Sequence, residues 1–250
     1  MIKYAAISRK GVRKEKNEDR VMVAGNYLAD GEIQGETDGS FLTVVCDGVG
    51  GEACGDEAAE IASMSFLPLC KNRMSIFDVS SAVVDANKAI CSYQKKGEFY
   101  KCMATTIAGI YLQDDKFVCF NLGDSRVYIL TDSDIVQISK DHTQAQNMVS
   151  KGKISDSSKA PYSMQNTITK YIGSSSGDTS LAALKKGKYD KRTKAFLLCS
   201  DGLYKKLTND EIKEVMLDED TALEKSRTLL DFAIKKGSTD DISVIVIELK

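Results

Sequence analysis

Thr43-Val44-Val45-Cys46-Asp47-Gly48-Val49-Gly50-Gly51 decides how the rest of the chain is read. An apolar, β-branched run ends in an aspartate, and glycines follow at once. Such a run is a buried strand that delivers a carboxylate to the edge of a sheet. The glycines allow a sharp turn and a close approach to the backbone. Taken singly, the same stretch is also an ordinary strand closing in an Asp-Gly turn. The device recurs along the chain, and the recurrence decides between the two.

Outward from it, residues 41–46 form the strand ahead of Asp47, and residues 30–40 read as a polar, Gly-rich hairpin. Residues 4–8 and 21–28 read as strands, separated by a charged turn. After Gly51 the period changes. Small and apolar residues at helical spacing predict a helix over 52–69, with Glu52, Asp56 and Glu57 in its first turns, where the macrodipole favours them. A second helix is predicted over 76–94. Strands return at 105–112 and 116–122, joined by Gln113-Asp114-Asp115, then at 127–130 and 135–138. Residues 141–166 are polar and weakly periodic, with a small helix over 144–151, and read as a mobile flap. Residues 195–199 are a strand. Thr208-Asn209-Asp210-Glu211 is a capping box opening a helix over 208–217, and a further helix covers 221–235 before the last strand, 242–249. Grouped helices and many strands give an α+β fold class. Helices on the outer faces of antiparallel sheets explain strands that are apolar throughout.

Composition narrows the chemistry. The 250 residues are 42% hydrophobic and 28% charged with a net charge of −2, so no basic excess suggests nucleic acid. The longest apolar runs are too short to span a bilayer, and Met1-Ile2-Lys3-Tyr4-Ala5-Ala6 lacks the apolar region of a signal peptide. Seven cysteines without CxxC spacing suggest neither a zinc site nor a disulfide framework, and a reducing cytoplasm fits them. The single histidine, His142, excludes a multi-His metal site. Any metal must then be held by oxygen, which favours Mg²⁺ or Mn²⁺ without choosing between them.

Four aspartates stand at the ends of strongly apolar strands: Asp47, Asp124, Asp201 and Asp240. A fifth, Asp19, closes a charged turn just before a strand. Each alone is a plausible turn residue. Gathered at one sheet edge they would repel each other without a counter-cation. Two divalent ions about 3.5–4 Å apart resolve that repulsion and can activate a shared water against a phosphoryl group.

The motifs Gly11-x-x-Lys14-x-x-Asn17-Glu18-Asp19, Asp47-Gly48-x-Gly50-Gly51, Gly123-Asp124-Ser125-Arg126, Asp141-His142-Thr143, Thr169-x-x-x-Gly173, Ser200-Asp201-Gly202 and Asp240-Asp241-Ile242-Ser243 occur in that order. Together they resemble the metal-dependent protein serine/threonine phosphatases of the 2C type, particularly the compact bacterial branch, over essentially the whole chain. The resemblance implies a β-sandwich of two antiparallel sheets flanked by antiparallel helix pairs, four layers in the order α-β-β-α. It implies one catalytic domain over 1–250, with the flap at about 144–166. It implies two Mn²⁺ or Mg²⁺ ions bridged by Asp47, with Asp201 and Asp240 on the first metal and the Gly48 carbonyl on the second. Asp19 would orient the metal-bound water that attacks phosphorus, with no phosphoenzyme, and Glu18 is a nearby acceptor.

Three departures from the family pattern stand out. The position where the family carries a phosphate-binding arginine is Lys14, preceded by Arg13. Either Lys14 serves, which is the favoured reading, or the turn presents Arg13. Lysine holds phosphate only as a point charge. Asp124 matches a ligand of a third metal, but its usual acidic partner is Lys205, so a third metal is expected to be weak or absent. Asp241 replaces the more frequent asparagine. His142 reads as structural, and Val49 stands where eukaryotic members carry a histidine. The expected activity is hydrolysis of phosphoserine and phosphothreonine in protein substrates of a Ser/Thr kinase, by a cytoplasmic monomer binding neither nucleic acid nor membrane. The alternatives are a regulator that dephosphorylates one signalling protein, and a pseudophosphatase that binds phosphoproteins without turnover. A metal-dependent nuclease ranks behind both, since no basic groove signature is present.

Overall fold

A computed structural model of the chain describes residues 1–49, 54–71, 75–176, 179 and 184–249. Gly50, Gly51 and Glu52 of the reading above lie outside the described residues. In chain order the elements are β1 (Ile2–Arg9), β2 (Asp19–Val23), β3 (Asn26–Leu28), β4 (Gly31–Thr37), β5 (Phe41–Val49), α1 (Gly55–Met64) and α2 (Ile76–Gln94). Then come β6 (Ala104–Thr105), β7 (Ile107–Gln113), β8 (Lys116–Leu122), β9 (Arg126–Thr131), β10 (Ile135–Gln137), α3 (Gln144–Ser150) and α4 (Tyr162–Asn166). The chain closes with β11 (Lys185–Lys188), β12 (Thr193–Cys199), α5 (Asp201–Tyr204), α6 (Asn209–Leu217), α7 (Ala222–Lys235) and β13 (Ile242–Leu249).

The strands form two antiparallel sheets. One runs β10-β9-β12-β13-β1-β4, the other β11-β8-β7-β5-β2-β3, with β6 added on β5. Their side chains sort by parity, as the two-residue period of a strand requires. In β5, Val45 enters the core between the sheets, while Val44 and Cys46 point out under α1 and α2. In β13, Ile245 and Ile247 face inward, while Val244 and Val246 lie under α6 and α7. Both faces of the central strands are therefore covered, so these strands are apolar without alternation. Three cores between four layers give the α-β-β-α sandwich. Each fully buried Val or Ile contributes about 1.5–3 kcal/mol. Capping boxes start α2 at Ser75/Asp78, α6 at Thr208/Glu211 and α7 at Thr221/Glu224.

The structure corrects several element boundaries. The strand expected over 21–28 is broken at Ala24-Gly25, both with positive φ, into β2 and β3. The expected hairpin over 30–40 is instead β4, which pairs with β1 from Ile2 to Ser8. Helix α1 stops at Met64, and residues 67–71 continue as a 3₁₀ turn. The strand over 105–112 is interrupted at Thr106. Beyond α3, residues 141–166 also carry a 3₁₀ turn and α4. No helix of the described residues is long and apolar enough to cross a membrane.

Candidate metal centre

The sandwich opens at one edge, where β2 begins and β5 ends. The antiparallel ladder sets Asp19 directly opposite Asp47. The N-terminal turn of α1 packs onto Gly48: a Cβ there would lie 2.4 Å from the Gly55 carbonyl, so only glycine fits. The Gly48 N–H donates to the Glu18 carbonyl at 3.2 Å. The backbone of Asp47 is held from the other side. Its N–H donates to Thr106 Oγ1 at 3.1 Å, and its carbonyl accepts from Thr105 Oγ1 at 2.9 Å and the Thr106 N–H at 2.8 Å. Asp19 is 1% exposed. Its Oδ2 accepts the Ser200 hydroxyl at 2.6 Å, and Ser200 in turn accepts the Ser243 N–H at 2.9 Å.

The remaining aspartates arrive from the turn that leaves this sheet after β8 and from the loops of the other sheet. Asp124 follows Gly123, whose φ of 102 is a left-handed turn ending β8. Asp201 opens α5 directly after β12, and Asp240 stands two residues before β13. Each of these three faces a cation or a donor. Lys205 Nζ lies 2.5 Å from Asp201 Oδ2 and 3.9 Å from Asp124 Oδ2, which also accepts the Tyr204 hydroxyl at 3.1 Å. Lys14 Nζ lies 2.9 Å from Glu18 Oε2 and 3.2 Å from Asp240 Oδ1.

Electrostatics show that all five aspartates share one neighbourhood. Burial, then the fields of Asp201, Asp19, Asp124 and Asp240, push Asp47 well above the carboxylate range. Burial and the charges of Asp241 and Asp201 carry Asp19 up to about 8 against the Ser200 hydrogen bond. Asp124 rises to about 6, chiefly through burial and Asp201. The pKa of Lys14 also rises, which for a lysine favours the charged form: burial disfavours its charge, but the Glu18 hydrogen bond and the fields of Asp240, Glu18 and Asp241 outweigh it.

The carboxylates are grouped by field rather than closed on one point. Among the described residues no three Asp, Glu, His or Cys side chains form a ready-made cage. They nevertheless fit hard divalent ions. Every donor is oxygen, and Asp19 Oδ1 and Asp124 Oδ1 are buried with no hydrogen-bond partner. A buried, unpaired carboxylate oxygen is costly unless a cation meets it.

Other expected residues fall outside the cluster. Arg13 is exposed, whereas Lys14 turns inward. His142 is buried, and its Nδ1 accepts the Gly123 N–H at 3.2 Å. Burial and the nearby Lys170 lower its pKa to about 4, so it holds the β8–β9 turn as a neutral ring. Asp241 accepts the Gly11 and Glu18 N–H groups, each at 2.8 Å. It thereby staples the Lys14 loop to the start of β13. Nothing in the sequence pattern pairs Ser200 with Asp19 or Tyr204 with Asp124; Thr106 and Ser125 read as strand and turn residues rather than nucleophiles, and their hydroxyls meet at 2.7 Å. Ser200 was within the Ser-Asp-Gly motif, but its partner Asp19 lies 181 residues away.

A cleft of about 690 Å³ runs from Asp201, Lys205 and Asp240 to Tyr162 and Asn166 of α4. It joins the aspartate edge to the 144–166 segment. A second cleft of about 660 Å³, near Lys3, Gln34 and Met216, contains none of the five aspartates.

Comparison with known proteins agrees with this architecture. The protein phosphatase 2C family model matches residues 26–231, and the chain belongs to that family. It is 25% identical over 252 residues to the serine/threonine protein phosphatase PstP of Mycobacterium tuberculosis, covering all of this chain and 45% of that protein. The chain thus spans about half of PstP. It is 24% identical to the serine/threonine phosphatase Stp of Listeria monocytogenes, over 92% of this chain and 93% of the relative. A crystal structure of the PstP catalytic domain in complex with two manganese ions superposes with a TM-score of 0.80 at 25% identity, covering 99% of this chain and 97% of that one.

Proposed function

We propose that the chain hydrolyses phosphoserine and phosphothreonine esters of proteins with the help of two Mn²⁺ or Mg²⁺ ions. One observation carries this reading: five aspartates from both sheets bear on one edge, where Asp201, Asp19, Asp124 and Asp240 all repel charge on Asp47. Such a cluster needs divalent cations. The manganese pair in PstP, a 25% identical relative, supports the same reading.

Asp19, Asp47, the Gly48 carbonyl, Asp201 and Asp240 would hold the ions. Bound there, they supply Lewis acidity, acidify a water and neutralise phosphoryl oxygens. The protein contributes orientation. Thr105 and Thr106 fix the Asp47 backbone, and Ser200 fixes one oxygen of Asp19 while leaving the other free of protein donors. Lys14, about one-third exposed beside Asp240, would receive the substrate phosphate as a point charge. The leaving alkoxide takes its proton from solvent, because Val49 is aliphatic and His142 is buried with Nδ1 engaged. We take residues 1–250 as one catalytic domain and 144–166 as the flap over the substrate. Substrates would be kinase-phosphorylated signalling proteins, met in the cytoplasm by a monomer.

Hydrolysis of a phosphothreonine peptide is the test. Turnover should require Mn²⁺ or Mg²⁺, and Asp47→Asn should reduce it to the metal-free level. Full activity in EDTA would sink the proposal, and phosphoprotein binding without hydrolysis would favour a pseudophosphatase.

A further inference from the structure

Lys205 stands within the carboxylate cluster, where the family's third-metal position would call for an acid. It follows Asp201 by one helical turn, with its N–H on the Asp201 carbonyl at 3.1 Å, so the two side chains run alongside each other. Its Nζ reaches Asp201 Oδ2 at 2.5 Å and faces Asp124 Oδ2 at 3.9 Å. Asp124 is 1% exposed, and Tyr204 donates to the same Oδ2. The other nearby cation, Arg126, is committed elsewhere. Its guanidinium forks onto Asp141, with Nη2 at 2.7 Å from Oδ2, and lies 3.6 Å above the Tyr204 ring.

We propose that the Lys205 ammonium is a tethered cation in the place a third divalent ion would need between Asp124 and Asp201, so that the loaded centre holds two ions. Charge supports this. The five aspartates carry one negative charge more than two divalent ions cancel, and Lys205 supplies the missing positive charge. Glu18 is matched separately by Lys14, and Asp241 by two backbone N–H groups. Chemistry supports it as well. An ammonium has three donors and no lone pair, so it satisfies carboxylate oxygens but cannot ligate a metal. A divalent ion beside it would meet a like charge and lose one of its oxygen ligands.

This inference rests on the metal-centre reading above, and counting bound metal separates the two. Manganese is the probe, measured per chain by elemental analysis after equilibrium dialysis of the full protein. The wild type and Lys205→Arg should each bind two ions. Lys205→Asp should bind a third, and Lys205→Asp combined with Asp124→Asn should return to two. Thermal melting checks that each variant folds. Lys205→Gln, which only removes the charge, gives a second reading: the weakest manganese site should tighten by at least tenfold. Three ions in the wild type, with one lost in Asp124→Asn, would overturn the role of Lys205. So would a count of two in a folded Lys205→Asp, or an unchanged weakest site in Lys205→Gln. No bound manganese in the wild type would overturn the metal centre itself, and this inference with it.

Discussion

The five aspartates are held in two different ways. Asp19 and Asp47 lie opposite each other in one β-ladder, and uncharged groups fix them: Ser200 on the Asp19 side chain, Thr105 and Thr106 on the Asp47 backbone. Asp201 and Asp240 sit beyond strand ends in contact with lysines, and Asp124 faces one of them. The strand-held pair keeps its place through the β-ladder and hydrogen bonds from uncharged groups. The lysine-faced group is placed by charge, so its geometry must respond to any other cation. Preorganisation thus belongs to β2 and β5, while charge balance belongs to Lys14 and Lys205.

Removing the strand-held centre should have the largest effect. Asp47→Asn should take metal-dependent turnover of a phosphothreonine peptide to background, whereas alanine at Lys14 should only weaken it. Equal losses in the two would erase the distinction. Next, Ser200→Ala frees Asp19 to rotate and leaves the Ser243 N–H unpaired. Loss of such a ligand-orienting hydrogen bond should cost about 10–100-fold in manganese affinity or activity, read from metal-titrated kinetics.

How far the site was legible in sequence follows the same division. Asp47, Asp124 and Asp201 were visible because each adjoins glycine at the end of an apolar run. The groups that orient them were not, because Ser200 acts on Asp19 and Tyr204 on Asp124 only once distant strands are paired. The fold shows a parallel limit. α2 and β8 match their expected ranges to the residue, since both bury a regular apolar pattern. β4 read as a hairpin because Gly-Glu-Ile-Gln-Gly-Glu-Thr is an edge strand open to solvent, and its pairing with β1 is what makes it a strand. The charged edge strand β11, Lys185–Lys188, carries no apolar signal at all.

On the lysine side the effects should be smaller and specific to substrate. Lys14→Ala should raise KM by about 10-fold with little change in kcat, the worth of one charge-assisted hydrogen bond. Lys14→Arg should lower KM, because a guanidinium can fork onto phosphate. A fall in kcat alone for Lys14→Ala would place this lysine in the chemical step instead.

The smallest expected effect is on stability. With divalent ions removed, Asp19 and Asp124 titrate near 8 and 6, above ordinary carboxylates. Folded chains then bind more protons than unfolded ones across this window, so stability should fall as pH rises from about 4 to 8. The melting temperature in EDTA should therefore fall as pH rises through this window. Asp19→Asn should flatten that slope, and excess Mn²⁺ should abolish it. A melting temperature in EDTA that rises over this range would contradict the raised pKa values.

On the proposed reading, Asp47 would be shared by two metal ions at the edge where both sheets meet. Electron paramagnetic resonance of the manganese-loaded protein tests it most directly. The wild type should give the broadened spectrum of two exchange-coupled Mn²⁺ ions, and Asp47→Asn should lose the coupling together with bound metal. A coupled pair that persists unchanged in folded Asp47→Asn would contradict it.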